Sequence, residues 1–380
     1  MKSRKFHENL RHLQLINYLQ ESKMMNFRNL IATIGGGLGL FLSVFILGSC
    51  RNDKPKSTEI LLSGVHKAVL LDSTDAAKAI VQDDLDKFFQ YLTPVDAAVQ
   101  MKKNGPLSMS NAEMVSSYKN YLQSDVTDFT TEERAFVEKA MIEAFQLVNK
   151  VSLRYFPDDI KLIKTKAHHY DGEMYYTREN CIVIPEPALK QKNYTAFLQT
   201  MLHEISHIVM RLNPNLKAQM YALVGFKKIE TPLQMPDALR RRLLTNPDGV
   251  DINWANTLTS ATGKTVFTLP LLYAKDSVFD PKKPDFSDYL GWNYYELAPS
   301  TDNKTLVVQT IGERQQSTLD TRGINALFLK NYNTAYIIHP DEIVADNFAL
   351  LMLSQKNPSI LKDYTEGGKT LLSKMDNLLK

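Results

Sequence analysis

YTAFLQTMLHEISHIVMRL, residues Tyr194 to Leu212, is followed by Asn213-Pro214. Phe197, Leu198, Met201, Leu202, Ile205, Ile208, Val209 and Leu212 recur at helical spacing around much of the circumference, which predicts a buried helix. The following Asn-Pro predicts where it stops. Inside this apolar run stand His203, Glu204 and His207, an H-E-x-x-H motif. Residues four apart share a helix face, so two imidazoles can aim at one metal ion, with Glu204 in reach of a water on it. Polar groups inside such a helix need partners. Zinc suits two nitrogens and one carboxylate, with a fourth position kept for water.

The carboxylate is expected downstream. Glu342-Ile343-Val344-Ala345-Asp346 follows His339-Pro340, where a helix would begin. Glu342 and Asp346 fall on one face, and Ile343, Val344, Phe348, Ala349, Leu350 and Leu351 crowd the rest. An acid in such a run is costly unless it is paired or metal-bound.

The pair of motifs, His203-Glu204-x-x-His207 and a later Glu342-x-x-x-Asp346, resembles the gluzincins, the thermolysin-like zinc peptidases. The resemblance covers two helices and the strand before the first; the spacer between the motifs is far longer here. It implies one Zn2+ held by His203, His207 and Glu342, with Glu204 as general base and Asp346 orienting a ligand histidine, His203. It also implies that an edge strand, placed at Asn180 to Ile184, pairs with extended substrate. Zinc lowers the pKa of a water towards about 7 and polarises the carbonyl, and Glu204 moves the proton to the leaving amine. A further donor stabilises the oxyanion. Tyr332, Tyr336 and His339 are the candidates nearest in sequence. His168-His169, beside Tyr170-Asp171-Gly172, reads as a loop.

Working outward, residues from about Ser57 to Val151 read as helices. One opens at Asp75 and runs through Phe88, Phe89 and Leu92. A second starts near Ser110, and a third at Thr130, where Thr130 and Glu133 form a capping box. Strand-like runs follow at Lys161–Lys164, Gly172–Tyr176 and Cys181–Ile184. Cys181 reads as a small buried hydrophobe. Further strand-like runs lie at Thr265–Tyr273 and Thr305–Thr310, with Trp292, Tyr294 and Tyr295 nearby. The order predicts α+β, mainly helical, with a small zincin-like sheet beside the motif helix. Three regions are expected. They are a lipoprotein signal at 1–50, a helical region at 51–151, and a zincin-like region at 152–380 with an insert at about 215–330, where specificity would lie.

The N-terminus reads as an address. Arg28 precedes an apolar run from Leu30 to Leu47, and Leu47-Gly48-Ser49-Cys50 resembles the bacterial lipobox, with a polar tether Arg51–Lys56 after it. This implies a lipid on Cys50 and an exported lipoprotein of the cell envelope, at the outer membrane or facing the periplasm. A plain membrane anchor is the other reading of the run. Met24 and Met25 are alternative starts to Met1. Two cysteines, Cys50 and Cys181, exclude a disulfide framework. A net charge of +3, without a basic stripe interleaved with aromatics, argues against nucleic acid. The Arg240–Arg242 triplet reads as a solvated face. The partners expected are therefore a peptide or protein substrate and a membrane. The rival account is a lipid-anchored binding protein with an inactive or structural metal site.

Overall fold

A computed structural model describes residues 56–380 apart from 105–108, 173, 260–262 and 320–323. Cys50 and the Leu30–Leu47 run lie outside the described residues. Among the described residues, no helix is long and apolar enough to cross a membrane.

The first sheet contains β1 (Thr58–Ser63), β2 (His66–Leu70), β3 (Val126–Thr127), β4 (Asp159–Thr165), β5 (Tyr176–Arg178) and β6 (Cys181–Pro185). Their order is β1-β2-β4-β6-β5, with β3 beside β4. β2–β4 and β4–β6 are parallel and the other pairs antiparallel. Successive side chains of a strand point to opposite faces. Ile160, Leu162, Ile182 and Ile184 accordingly enter one core, while Ile163, Cys181 and Val183 enter a second. Both faces are covered, which is why β6 is apolar throughout.

The helices that matter here are α1 (Ser73–Ala79), α2 (Pro94–Gln100), α3 (Asn111–Asp125), α4 (Thr131–Asn149), α5 (Tyr194–Leu212), α6 (Pro214–Leu223), α7 (Ile324–Tyr332), α8 (Pro340–Lys356) and α9 (Glu366–Leu379). The first core takes Val137, Met141 and Phe145 of α4, Met201, Leu202 and Ile205 of α5, and Ile343, Val344 and Phe348 of α8. The second takes Ala76 and Ala79 of α1 and Met114, Tyr118 and Leu122 of α3. The chain is thus α+β, as expected, with a sheet against the motif helix. α5 starts on Asn193, whose side chain accepts the Ala196 N–H, and stops at Asn213 before Pro214. The Thr130–Glu133 capping box is present at α4.

Residues 215–330 build a second sheet from β7 (Phe226–Lys228), β8 (Leu233–Gln234), β9 (Trp254–Thr259), β10 (Thr265–Ala274), β11 (Leu290–Pro299) and β12 (Leu306–Val308), in the order β7-β9-β10-β11-β12-β8. This segment is woven into the body. Trp254, Leu258 and Tyr294 join the first core, and Leu244, Phe286 and Tyr289 join the second.

Several expectations need correction. Residues 58–70 form a hairpin, not a helix; Ile60, Ala68 and Leu70 are buried at strand spacing, and Gly64 takes the left-handed turn. The stretch from Asp75 to Leu92 is not one helix. Asp83 accepts the Phe89 N–H at 3.2 Å and pairs with Arg178 at 2.8 Å, which turns the chain between α1 and a short helix at Phe88–Tyr91. The strand expected at Gly172–Tyr176 begins only at Tyr176. Asn180–Ile184 is not an edge strand, because β6 pairs with β4 on one side and β5 on the other.

Asp96 of α2 joins this helix to the 215–330 segment. Its carboxyl is fully buried, accepting the Thr245 N–H at 2.9 Å and the Gln100 amide at 2.7 Å. Burial pushes it from the ordinary 3.8 up to about 6 against those donors. The native state therefore holds a proton that the unfolded chain has released, and stability falls as pH rises between about 4 and 6. Asp96→Asn should flatten that slope, so that its stability relative to wild type improves from about pH 4 to pH 7 in denaturant titrations. A difference independent of pH would remove Asp96 as the source.

Candidate metal centre

α5 and α8 bring the two motifs together. His203 Nδ1 lies 3.1 Å from Asp346 Oδ1, and the Thr334 hydroxyl donates to the other Asp346 oxygen. A carboxylate only accepts, so His203 Nδ1 presents a proton to Asp346, and Nε2 is the atom that offers a lone pair to an ion when an ion takes the place of its proton. That Nε2 stands 3.2 Å from Glu342 Oε2, and His207 Nε2 stands 3.6 Å from the same oxygen. In a tetrahedral site with donors about 2.0–2.1 Å from zinc, neighbouring donors stand roughly 3.3–3.4 Å apart. Both histidine distances to Glu342 Oε2 lie close to that spacing, and all three donors fall within 4.8 Å of one another.

Burial adds to the fit. Glu204 is 4 % exposed, His207 1 % and Glu342 2 %. Neither His207 nitrogen has a hydrogen-bond partner, and nor does Glu204 Oε2. Buried polar atoms are almost always partnered, so orphans side by side call for a further species between them. A divalent cation with a water satisfies that requirement. His203, His207 and Glu342 form one donor group able to hold it, and Glu204, His207 and Asp248 form another.

The charges at this cluster depend on one another. Burial opposes the charge on Glu342, yet His207 and His203 hold its carboxyl well below the usual range. Burial would depress His203, but its hydrogen bonds to Asp346 and Glu342 outweigh it and raise the imidazole well above its ordinary value. Burial pushes Glu204 up to about 8, and the nearby Asp248 charge adds to this, while His203 and His207 oppose it; a cation beside it would oppose it further and favour the ionised form a general base needs.

Tyr336, half exposed, lays its ring against His203, with centroids 6.4 Å apart. Partial burial, together with the charges of Glu342, Asp248, Asp346 and Glu204, holds its phenol well above the ordinary value, so it stays a donor. The other two candidates are used elsewhere. His339 caps α8, its Nδ1 accepting the Asp341 N–H at 3.2 Å and its Nε2 donating to the Asp251 carbonyl at 2.9 Å. Tyr332 turns its hydroxyl against Gly225. His168 and His169 share the buried Asp125 carboxylate at 3.0 and 2.6 Å, which accounts for both.

The sequence reading missed the loop Thr245–Gly249. Asn246 Nδ2 donates to Glu342 Oε1 at 2.8 Å. Asp248 Oδ1 accepts from the Thr177 N–H at 2.6 Å and its hydroxyl at 2.7 Å. Arg211, one turn beyond His207, pairs with Asp86 and donates to Thr177 Oγ1 at 3.0 Å and the Pro247 carbonyl at 3.1 Å. Asn246-Pro247-Asp248-Gly249 carries a turn signal but no sign of its partners. Comparison with family models, with curated proteins and with solved structures gives no match, so the reading rests on this geometry.

A Cβ on Gly249 would stand 2.3 Å from His339 Cε1 and 2.4 Å from Asp341 Oδ2. Gly249→Ala should therefore lower the unfolding free energy by about 1–3 kcal/mol through overpacking, read in a denaturant titration. An unchanged midpoint would mean that the loop does not pack this closely.

Proposed function

We propose that this chain is a zinc-dependent hydrolase of amide bonds, a peptidase, carried as an exported bacterial lipoprotein anchored through Cys50. The observation that carries the catalytic part is the convergence of His203, His207 and Glu342 beside the orphaned, buried Glu204 carboxylate. Three protein donors with a fourth position left for water is the pattern of catalytic rather than structural zinc. Lipid anchoring is supported by the Leu47-Gly48-Ser49-Cys50 sequence.

Zinc held by this set would polarise the scissile carbonyl and lower the pKa of a water towards about 7. Glu204 Oε2 takes the water's proton as its oxygen bonds to the carbonyl carbon, and passes it to the amine nitrogen as the C–N bond breaks. Asp346 holds the His203 Nδ1–H, which fixes the ring with Nε2 inward. The Tyr336 phenol, protonated and beside His203, donates to the developing oxyanion.

The test is zinc stoichiometry and peptide-library turnover, measured side by side on the full chain in detergent. Wild type should hold one zinc. Glu204→Gln should keep the metal and lose turnover by at least about 10²-fold, the low end of a general base's contribution. His203→Ala and Glu342→Ala should lose the metal. Activity surviving in Glu204→Gln would remove Glu204 as the base. A wild type that takes up no zinc would leave a lipid-anchored binding protein as the account.

A further inference from the structure

We infer that Asn246 is a positioning residue for the metal centre, fixing Glu342 so that a single oxygen is offered to the ion. The inference rests on the zinc reading above and adds to it a residue from outside both motifs.

The orientation of the Asn246 side chain is determined by its two neighbours. Its Oδ1 accepts the Asp248 N–H at 3.2 Å, which sends Nδ2 to Glu342 Oε1 at 2.8 Å. A carboxylate is an acceptor only, so the amide nitrogen must face it. With Oε1 engaged by that donor, the inward oxygen is Oε2, the atom 3.2 and 3.6 Å from the two histidine nitrogens. Asn246 thus does for Glu342 what Asp346 does for His203.

The loop behind Asn246 is held from several sides, so the contact is preset. Thr245 donates its N–H to Asp96 and its hydroxyl to the Tyr91 carbonyl at 3.1 Å. Arg211 holds the Pro247 carbonyl, and Thr177 holds Asp248. Partners that orient a metal ligand in this way typically change metal affinity by about 10–100-fold when removed.

The experiment measures zinc dissociation constants, by competition with a chromophoric chelator, on the full chain in detergent. It compares wild type, Asn246→Ala, Asn246→Asp and Thr245→Val. Asn246→Ala should weaken zinc binding by about 10–100-fold, and Asn246→Asp by at least as much, since it turns an acceptor towards an acceptor. Thr245→Val removes the hydroxyl anchor on Tyr91 but leaves the amide contact, so it should keep zinc affinity within about twofold, well short of that range. Equal losses in Asn246→Ala and Thr245→Val would make the role one of loop rigidity and overturn the inference. An Asn246→Ala variant that binds like wild type would also overturn it while leaving the metal centre intact. A wild type without zinc would overturn both.

Discussion

Glu342 sits almost wholly out of water between two imidazoles. Burying a carboxylate costs several kcal/mol unless its charge and both oxygens are matched, and much of the architecture supplies those matches. α5 delivers His203 and His207 from one face. The loop from the long insert delivers Asn246 to the remaining oxygen. α8 carries Glu342 itself, with Asp346 one turn on reaching His203 from the other side. The apolar residues of α5 and α8 share a core with the sheet, so the two helices pack as one block. Each large apolar side chain buried there contributes about 1.5–3 kcal/mol. That is the reserve against which so many polar groups can be held inside.

What could be read in the sequence was what local spacing encodes. The bounds of α5 follow from its apolar period and from Asn213-Pro214, and the capping box at Thr130 and Glu133 marks α4. Glu342 and Asp346 stand out because they interrupt an apolar helix. What could not be read depends on distant partners. β1 and β2 have few buried positions, and β2 pairs with β4 about ninety residues later, Lys67 facing Asp159. Asn246 and Asp248 lie in an aperiodic stretch, where Asn-Pro-Asp-Gly announces a turn and nothing more. The placement of an edge strand at Asn180–Ile184 went wrong for a readable reason. An unbroken apolar run belongs to a strand covered on both faces, which sits inside a sheet.

The real edge, β5, is closed at its middle residue. The Thr177 N–H is bound to Asp248, and its carbonyl receives Arg211 at 3.5 Å. An extended chain laid along that strand would find the main chain of Thr177 already paired. The insert that supplies Asp248 also contributes side chains to both cores and is not an appendage.

The N-terminal hairpin limits where the chain can be cut. β2 lies inside its sheet, flanked by β1 and running parallel to β4. Discarding it would strip one side of β4, whose Ile160 and Leu162 reach the core beneath α5. The chain could not lose its first hundred residues without opening this sheet. A cut that leaves the sheet intact has to fall before Thr58.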